Sequence, residues 1–133
     1  MPGKRLNFDA VRKIALALPG AEESTGYGVP AFKVGGKMFA CVPSHRSAEP
    51  DSLAIRIDFD QREALLAEAP EAYYLTPHYV DYPIVLARLA SVDADALRDL
   101  LGGAIRYVSA ENAKRKRAPR KQPDARSLRG GRT

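Results

Sequence analysis

The sequence predicts an α+β fold, a small antiparallel sheet with helices packed on one face, followed by a disordered basic C-terminal tail. Three observations predict it. Apolar residues recur at helical spacing near residues 8–18 and 97–108. Residues 52–59 alternate between apolar and polar. The periodic segments follow the order helix, hairpin, strand, helix, strand, helix, which favours an antiparallel sheet over a parallel one built from βαβ units.

Phe8, Val11, Ile14, Ala15 and Leu18 share one face of the first helix, Asn7 stands at the N-cap position, and Pro19-Gly20 stops the helix. Ala31–Val34 and Lys37–Val42 are short β-prone runs on either side of Gly35-Gly36. That pair tolerates the positive φ angles of a two-residue turn, so a hairpin is expected. In the next strand Leu53, Ile55, Ile57 and Phe59 alternate with Ala54, Arg56 and Asp58, the pattern of a strand with one buried face. Asp60 and Glu63 have capping-box spacing and open a short helix through Leu65, Leu66 and Ala69 that Pro70 closes. After an aromatic stretch broken by Pro77, Ile84–Leu89 reads as a strand entered through Pro83. Asp93 or Asp95 then starts a long helix with Leu97, Leu100, Leu101, Ala104, Ile105 and Val108 on one face. Gly102-Gly103 costs about 1 kcal/mol each relative to Ala and predicts a bend or a close packing contact there.

At 133 residues the chain is long enough to bury roughly two thirds of its unfolded surface, so no disulfide or metal staple is needed. No run approaches the roughly 20 apolar residues that span a bilayer. The start, Met1-Pro2-Gly3-Lys4-Arg5, leads into an amphipathic segment instead of a signal-like apolar core, and Cys41 is the only cysteine; a cytoplasmic location without membrane contact is expected. The net charge of +5 is unevenly placed. From residue 114 onward nine bases face one acid, a surplus of eight that leaves the body at minus three. Residues 114–133 also hold two prolines, two glycines and few apolar side chains, so they are expected to form a disordered tail on a 1–113 domain.

Leu16-Ala17-Leu18-Pro19-Gly20-Ala21-Glu22-Glu23, Gly28-Val29-Pro30-Ala31-Phe32-Lys33-Val34 and Gly36-Lys37-Met38-Phe39-Ala40 resemble successive motifs of the MmcQ/YjbR family. Asp60-Gln61-Arg62-Glu63-Ala64-Leu65-Leu66, Leu97-Arg98-Asp99-Leu100-Leu101 and Ala104-Ile105-Arg106 are similar to its later helices, and the resemblance spans about residues 7–112. It implies a CyaY-like domain, described as a double-wing DNA-binding fold, with no established catalytic residues to carry over. The chain departs from that pattern at Tyr27 and at Tyr82-Pro83, where the family leads one to expect tryptophan, and it contains no Trp.

Chemistry-bearing patterns are few. Gly26-Tyr27-Gly28-Val29-Pro30-Ala31 matches G-x-G-x-x-A, but it leads from a helix to a strand, whereas a dinucleotide site needs strand, turn, helix. Gly36-Lys37 lacks the upstream glycine of a phosphate-binding loop. Cys41, His45 and the distant His78 are the only zinc-like spacing, and Cys41 reads better as a small packed side chain. The first helix carries Arg12 and Lys13 beside Asp9, so it offers no acidic ridge for iron. With two histidines and no G-x-S-x-G elbow, a hydrolase is not expected, and His78 near Asp81 is the best lone candidate for proton transfer. No cofactor and no metal is expected, and the chain reads as non-enzymatic.

The basic segment is the strongest functional signal. Lys114, Arg115, Lys116, Arg117, Arg120 and Lys121 can neutralise phosphates of DNA or RNA without a fixed geometry. Lys33, Lys37 and Arg56, in or beside the hairpin and the alternating strand, are the body's expected backbone contacts. The alternative is a protein-interaction or small-ligand module with a cleft lined by Tyr27, Phe32, Tyr73, Tyr74 and Tyr79.

Overall fold

The computed structural model describes residues 6–26 and 28–117. In chain order it contains α1 (Phe8–Leu16), β1 (Ala21–Gly26), β2 (Val29–Val34), β3 (Lys37–Cys41), β4 (Ser52–Arg56), α2 (Phe59–Glu68), β5 (Tyr73–Tyr74), β6 (Ile84–Arg88), a 3-10 turn (Leu89–Ser91) and α3 (Ala94–Arg117). The six strands form one sheet in the order β1-β2-β3-β4-β6-β5, with every neighbouring pair antiparallel.

The expected caps and turns are largely present. Asn7 Oδ1 accepts the Ala10 N–H at 2.9 Å, and Asp93 Oδ1 accepts the Ala96 N–H at 2.8 Å. The β2–β3 turn uses φ of 58° at Gly35 and 80° at Gly36, the left-handed values that suit a two-residue hairpin. The cap of α2 differs from expectation. Asp58, not Asp60, accepts the Gln61 N–H at 2.7 Å, because the helix starts one residue before Asp60, at Phe59. Gly102-Gly103 does not break the last helix. α3 runs unbroken through both, and a side chain at either would meet only the guanidinium of Arg106, at 3.6 or 3.7 Å.

Two features change the sheet. β1, read from sequence as a connection, is a strand whose register runs from Ala21 opposite Val34 to Gly26 opposite Val29. Its Glu22, Glu23, Ser24 and Thr25 have little β propensity, but a polar, acidic edge strand discourages further strand pairing. Glu23 is also held by Arg12 of α1 through two contacts of 2.8 and 3.2 Å. In β3 one extra residue sits between the pairs Phe32–Ala40 and Lys33–Met38. That bulge, at Phe39, lets Phe39 and Ala40 both enter the core.

Both faces of the sheet are covered. The main core places Val11, Phe32, Phe39, Leu53, Ile55, Val85, Leu97 and Leu101 between the sheet and α1 and α3. Opposite lies a second cluster of Ala54, Tyr79 and Leu86, flanked by Cys41, Tyr74 and Ile84. Residues 52–55 are consequently all buried, whereas the alternation had predicted one buried face. The loops before β4 and after β5 supply the second cover.

Arg62 fixes part of that cover. Only 5% exposed, it donates from Nη1 to the carbonyls of Val80 (3.0 Å) and Tyr82 (2.9 Å) and lies 4.7 Å from the Phe59 ring. Arg62→Met is expected to cost about 1–3 kcal/mol, because two carbonyls lose a charged donor. Urea denaturation checks this, and a loss as small as that of exposed Glu63→Gln would show that the loop closes without Arg62.

Candidate nucleic-acid interface and the opposite sheet face

The basic segment begins inside α3. The expected 113/114 boundary falls within this helix, which runs to Arg117, so Lys114, Arg115, Lys116 and Arg117 extend an element anchored in the core by Leu97, Leu101, Ala104 and Val108. Arg120 and Lys121, like the rest of the expected tail, lie outside the described residues. Five residues of rise at 1.5 Å carry the helix about 7.5 Å from Asn112 to Arg117. Cations in a last turn also complement the negative end of the helix dipole.

The hairpin meets α3 immediately before these cations. A side chain at Gly35 would lie 3.4 Å from Asn112 Nδ2. Exposed Lys37 lines a cavity of about 280 Å³ with Tyr107, Val108, Glu111 and Asn112. Lys37 pairs with Val34, whose side chain packs on the main core, so it belongs to the helix side of the sheet. Arg56 borders the same cavity, so two of the three body cations, Lys37 and Arg56, lie beside the part of α3 that precedes its basic end. Lys33 lies opposite Glu22 and Met38 and, by strand alternation, on the other sheet face. Arg56 is half-buried, and its Nε is enclosed without a hydrogen-bond acceptor.

The outer face holds a different arrangement. β3 and β4 pair only at Ala40–Ile55 and Cys41–Ala54, and the sheet opens beside Arg56. Above that opening is a cavity of about 450 Å³ whose lining includes Met38, Cys41, Arg56, His78, Tyr79 and Tyr82. The rings of His45 and His78 stack at 3.7 Å, and Tyr79 stands edge-on to both. The His45 N–H donates to Tyr79 Oη at 3.3 Å, and the His45 Nδ1, Ser47 Oγ and Thr76 Oγ1 atoms form a chain of two 2.8 Å bonds. Tyr74 Oη accepts the Glu49 N–H at 2.8 Å and shares a 2.6 Å bond with Ser52 Oγ. Arg88 grips Glu49 at 2.8 and 2.9 Å while lying 4.5 Å from the Tyr74 ring. These contacts seat the segment around residues 45–49 on the sheet.

Burial pushes the Cys41 thiol upward in pKa, with nearby Arg56 opposing it. Burial, then the neighbouring His78 and Arg46, holds His45 below the usual histidine range. A histidine depressed on folding favours the neutral form. Its stabilising share is present above the unfolded value near 6.5 and is lost as pH falls below it. The urea midpoint is therefore expected to drop between about pH 7 and pH 5, and His45→Gln should flatten that drop. An unchanged slope in the variant would show that His45 is not the source.

The aromatic cleft expected from sequence does not assemble. Phe32 and Tyr73 face the main core, Tyr74 and Tyr79 face the opposite side of the sheet, and Tyr27 lies outside the described residues. His78 packs against His45 and Tyr79. Among the described residues, no three His, Cys, Asp or Glu side chains converge to hold a metal, and no helix is long and apolar enough to cross a membrane.

Residues 16–105 match the family model described as YjbR. An uncharacterised protein of Mycobacterium bovis is 29% identical over 108 residues, covering 71% of this chain and 81% of its own length. An uncharacterised protein of Mycobacterium tuberculosis matches with the same identity and coverage. Among solved structures, a Deinococcus radiodurans protein with a DUF419 domain superposes with a TM-score of 0.68 at 24% identity, covering 87% of this chain and 90% of its own.

Proposed function

From the starting point that this chain belongs to the YjbR family, we propose that it is a non-enzymatic nucleic-acid-binding protein of the cytoplasm that grips phosphates largely without reading sequence. The observation that carries this reading is the unbroken course of α3 to Arg117. It presents four consecutive cations on a helix anchored in the core, next to the hairpin that carries Lys37.

Nine bases from Lys114 onward face a single acid, while the body carries a net charge of minus three. The body is therefore repelled by a phosphate backbone except where the basic end of α3 meets it. Cations engaging phosphates displace condensed counterions, which gives affinity without base recognition. Lys37 would add one contact beside the helix end, positioning the domain without specifying bases.

The test is duplex binding by the full chain with Lys114, Arg115, Lys116 and Arg117 all changed to Ala. Helix propensity is retained by that change. The slope of log K against log salt should shrink in magnitude by at least about 2 relative to the unaltered chain. Lys37→Ala should change it by less than about 1, with the same relative affinity for unrelated sequences. A quadruple variant with an unaltered slope would remove the helix end from the interface.

A further inference from the structure

We infer that the outer-face cavity is a binding site for a small organic carboxylate with a flat apolar body, whose charged end is received by Arg56. The site opens on the outer face and shares Met38 and Arg56 with the cavity beside Asn112, and it stands or falls independently of nucleic-acid binding.

Arg56 closes β4 at the point where the sheet opens between β3 and β4. Its Nε is enclosed and has no hydrogen-bond acceptor, and none of the ion pairs formed among the described residues includes Arg56. The other half-buried or buried arginines differ. Arg12 and Arg88 each hold a glutamate with two nitrogens, and Arg62 holds two carbonyls as well as Glu63. Asp58 and Asp99 line the helix-side cavity that Arg56 also borders, but neither comes within ion-pair distance of it. An enclosed guanidinium Nε with no acceptor is costly to maintain and is relieved by an anion that reaches it.

The cavity around it fits an organic anion. About 450 Å³ lies within the range of small-molecule pockets. Its walls are apolar or aromatic apart from a few polar groups: Val29, Met38 and Ile84 on the sheet, and His78, Tyr79 and Tyr82 above. His78 is already backed by the stacked His45 ring, so a flat ligand would meet a wall held in place from behind. Among the described residues Arg56 is the only Lys or Arg on the lining, and its fixed fork matches a singly charged carboxylate. A phosphate monoester, with nearly twice the charge, would need a second cation.

The experiment is a backbone amide NMR titration of the full chain with benzoate, using benzamide as the uncharged probe and phenyl phosphate as the doubly charged one. Benzoate at millimolar concentration should shift the amides of Cys41, Arg56 and His78 saturably and slow alkylation of Cys41, the single thiol in the chain. Benzamide and the Arg56→Met variant should each weaken binding at least about tenfold, the loss of one charge-assisted pair. Arg56→Lys, which keeps the charge but not the fork, should retain part of the affinity. Equal binding of benzamide, unchanged binding by Arg56→Met with its spectrum intact, tighter binding of phenyl phosphate, or no shift of these amides with any probe would each overturn the assignment.

Discussion

Ile55→Ala is expected to destabilise the protein by about 2–5 kcal/mol, through lost transfer free energy and the cavity left behind. Ile55 is fully buried in β4, paired with Ala40 on one side and Val85 on the other, and it packs in the main core. Both neighbouring strands hold its backbone in register, so the surroundings can relax only partly into the void. Arg56→Met, one residue on, should destabilise by no more than about 0.5 kcal/mol or should stabilise, because the enclosed Nε has no hydrogen bond to lose. Urea denaturation of the two variants makes the comparison. Similar losses would mean that the face assignment of β4 is wrong, and a near-neutral Ile55→Ala would mean that the core is not close-packed there.

The strands with the strongest local signals were legible from sequence. Gly35-Gly36 announced the hairpin, and Leu53, Ile55 and Ile57 pointed to the core face of β4. What alternation could not disclose is that Ala54, read as facing solvent, is covered from outside. Small Ala carries no sign of its own side, and its cover comes from Tyr79 and Leu86, about 25 to 32 positions away in sequence. β1 was hidden for a similar reason, since Ala21–Gly26 is a strand through pairing with β2 and through Arg12, not through its own propensity. The stacking of His45 on His78 brings together two positions that no spacing rule connects. Treating the charge run as tail from Lys114 onward overlooked a local signal. Ala110-Glu111-Asn112-Ala113-Lys114-Arg115-Lys116-Arg117 is largely a run of helix formers, and Pro119 marks where such a run should stop.

Ending the chain at Asn112 is expected to remove most of its affinity for nucleic acid. Nine of the 21 Lys and Arg residues lie beyond that point, while Asn112, which stands beside Gly35 of the hairpin, is kept. If about four to six of those nine engage phosphates together, the full chain should show a log–log salt slope of roughly −4 to −5. Such a slope corresponds to a roughly 250- to 1,000-fold loss of affinity over a fourfold rise in salt. The measurement that decides the account is the duplex-DNA affinity of the full chain and of the chain ending at Asn112, across a salt series and on unrelated sequences. The prediction is a slope near −4 to −5 with little sequence preference for the full chain, and a slope near zero for the shortened one. A shortened chain that still bound one sequence tightly at physiological salt, or a full chain that bound neither DNA nor RNA at low salt, would contradict it.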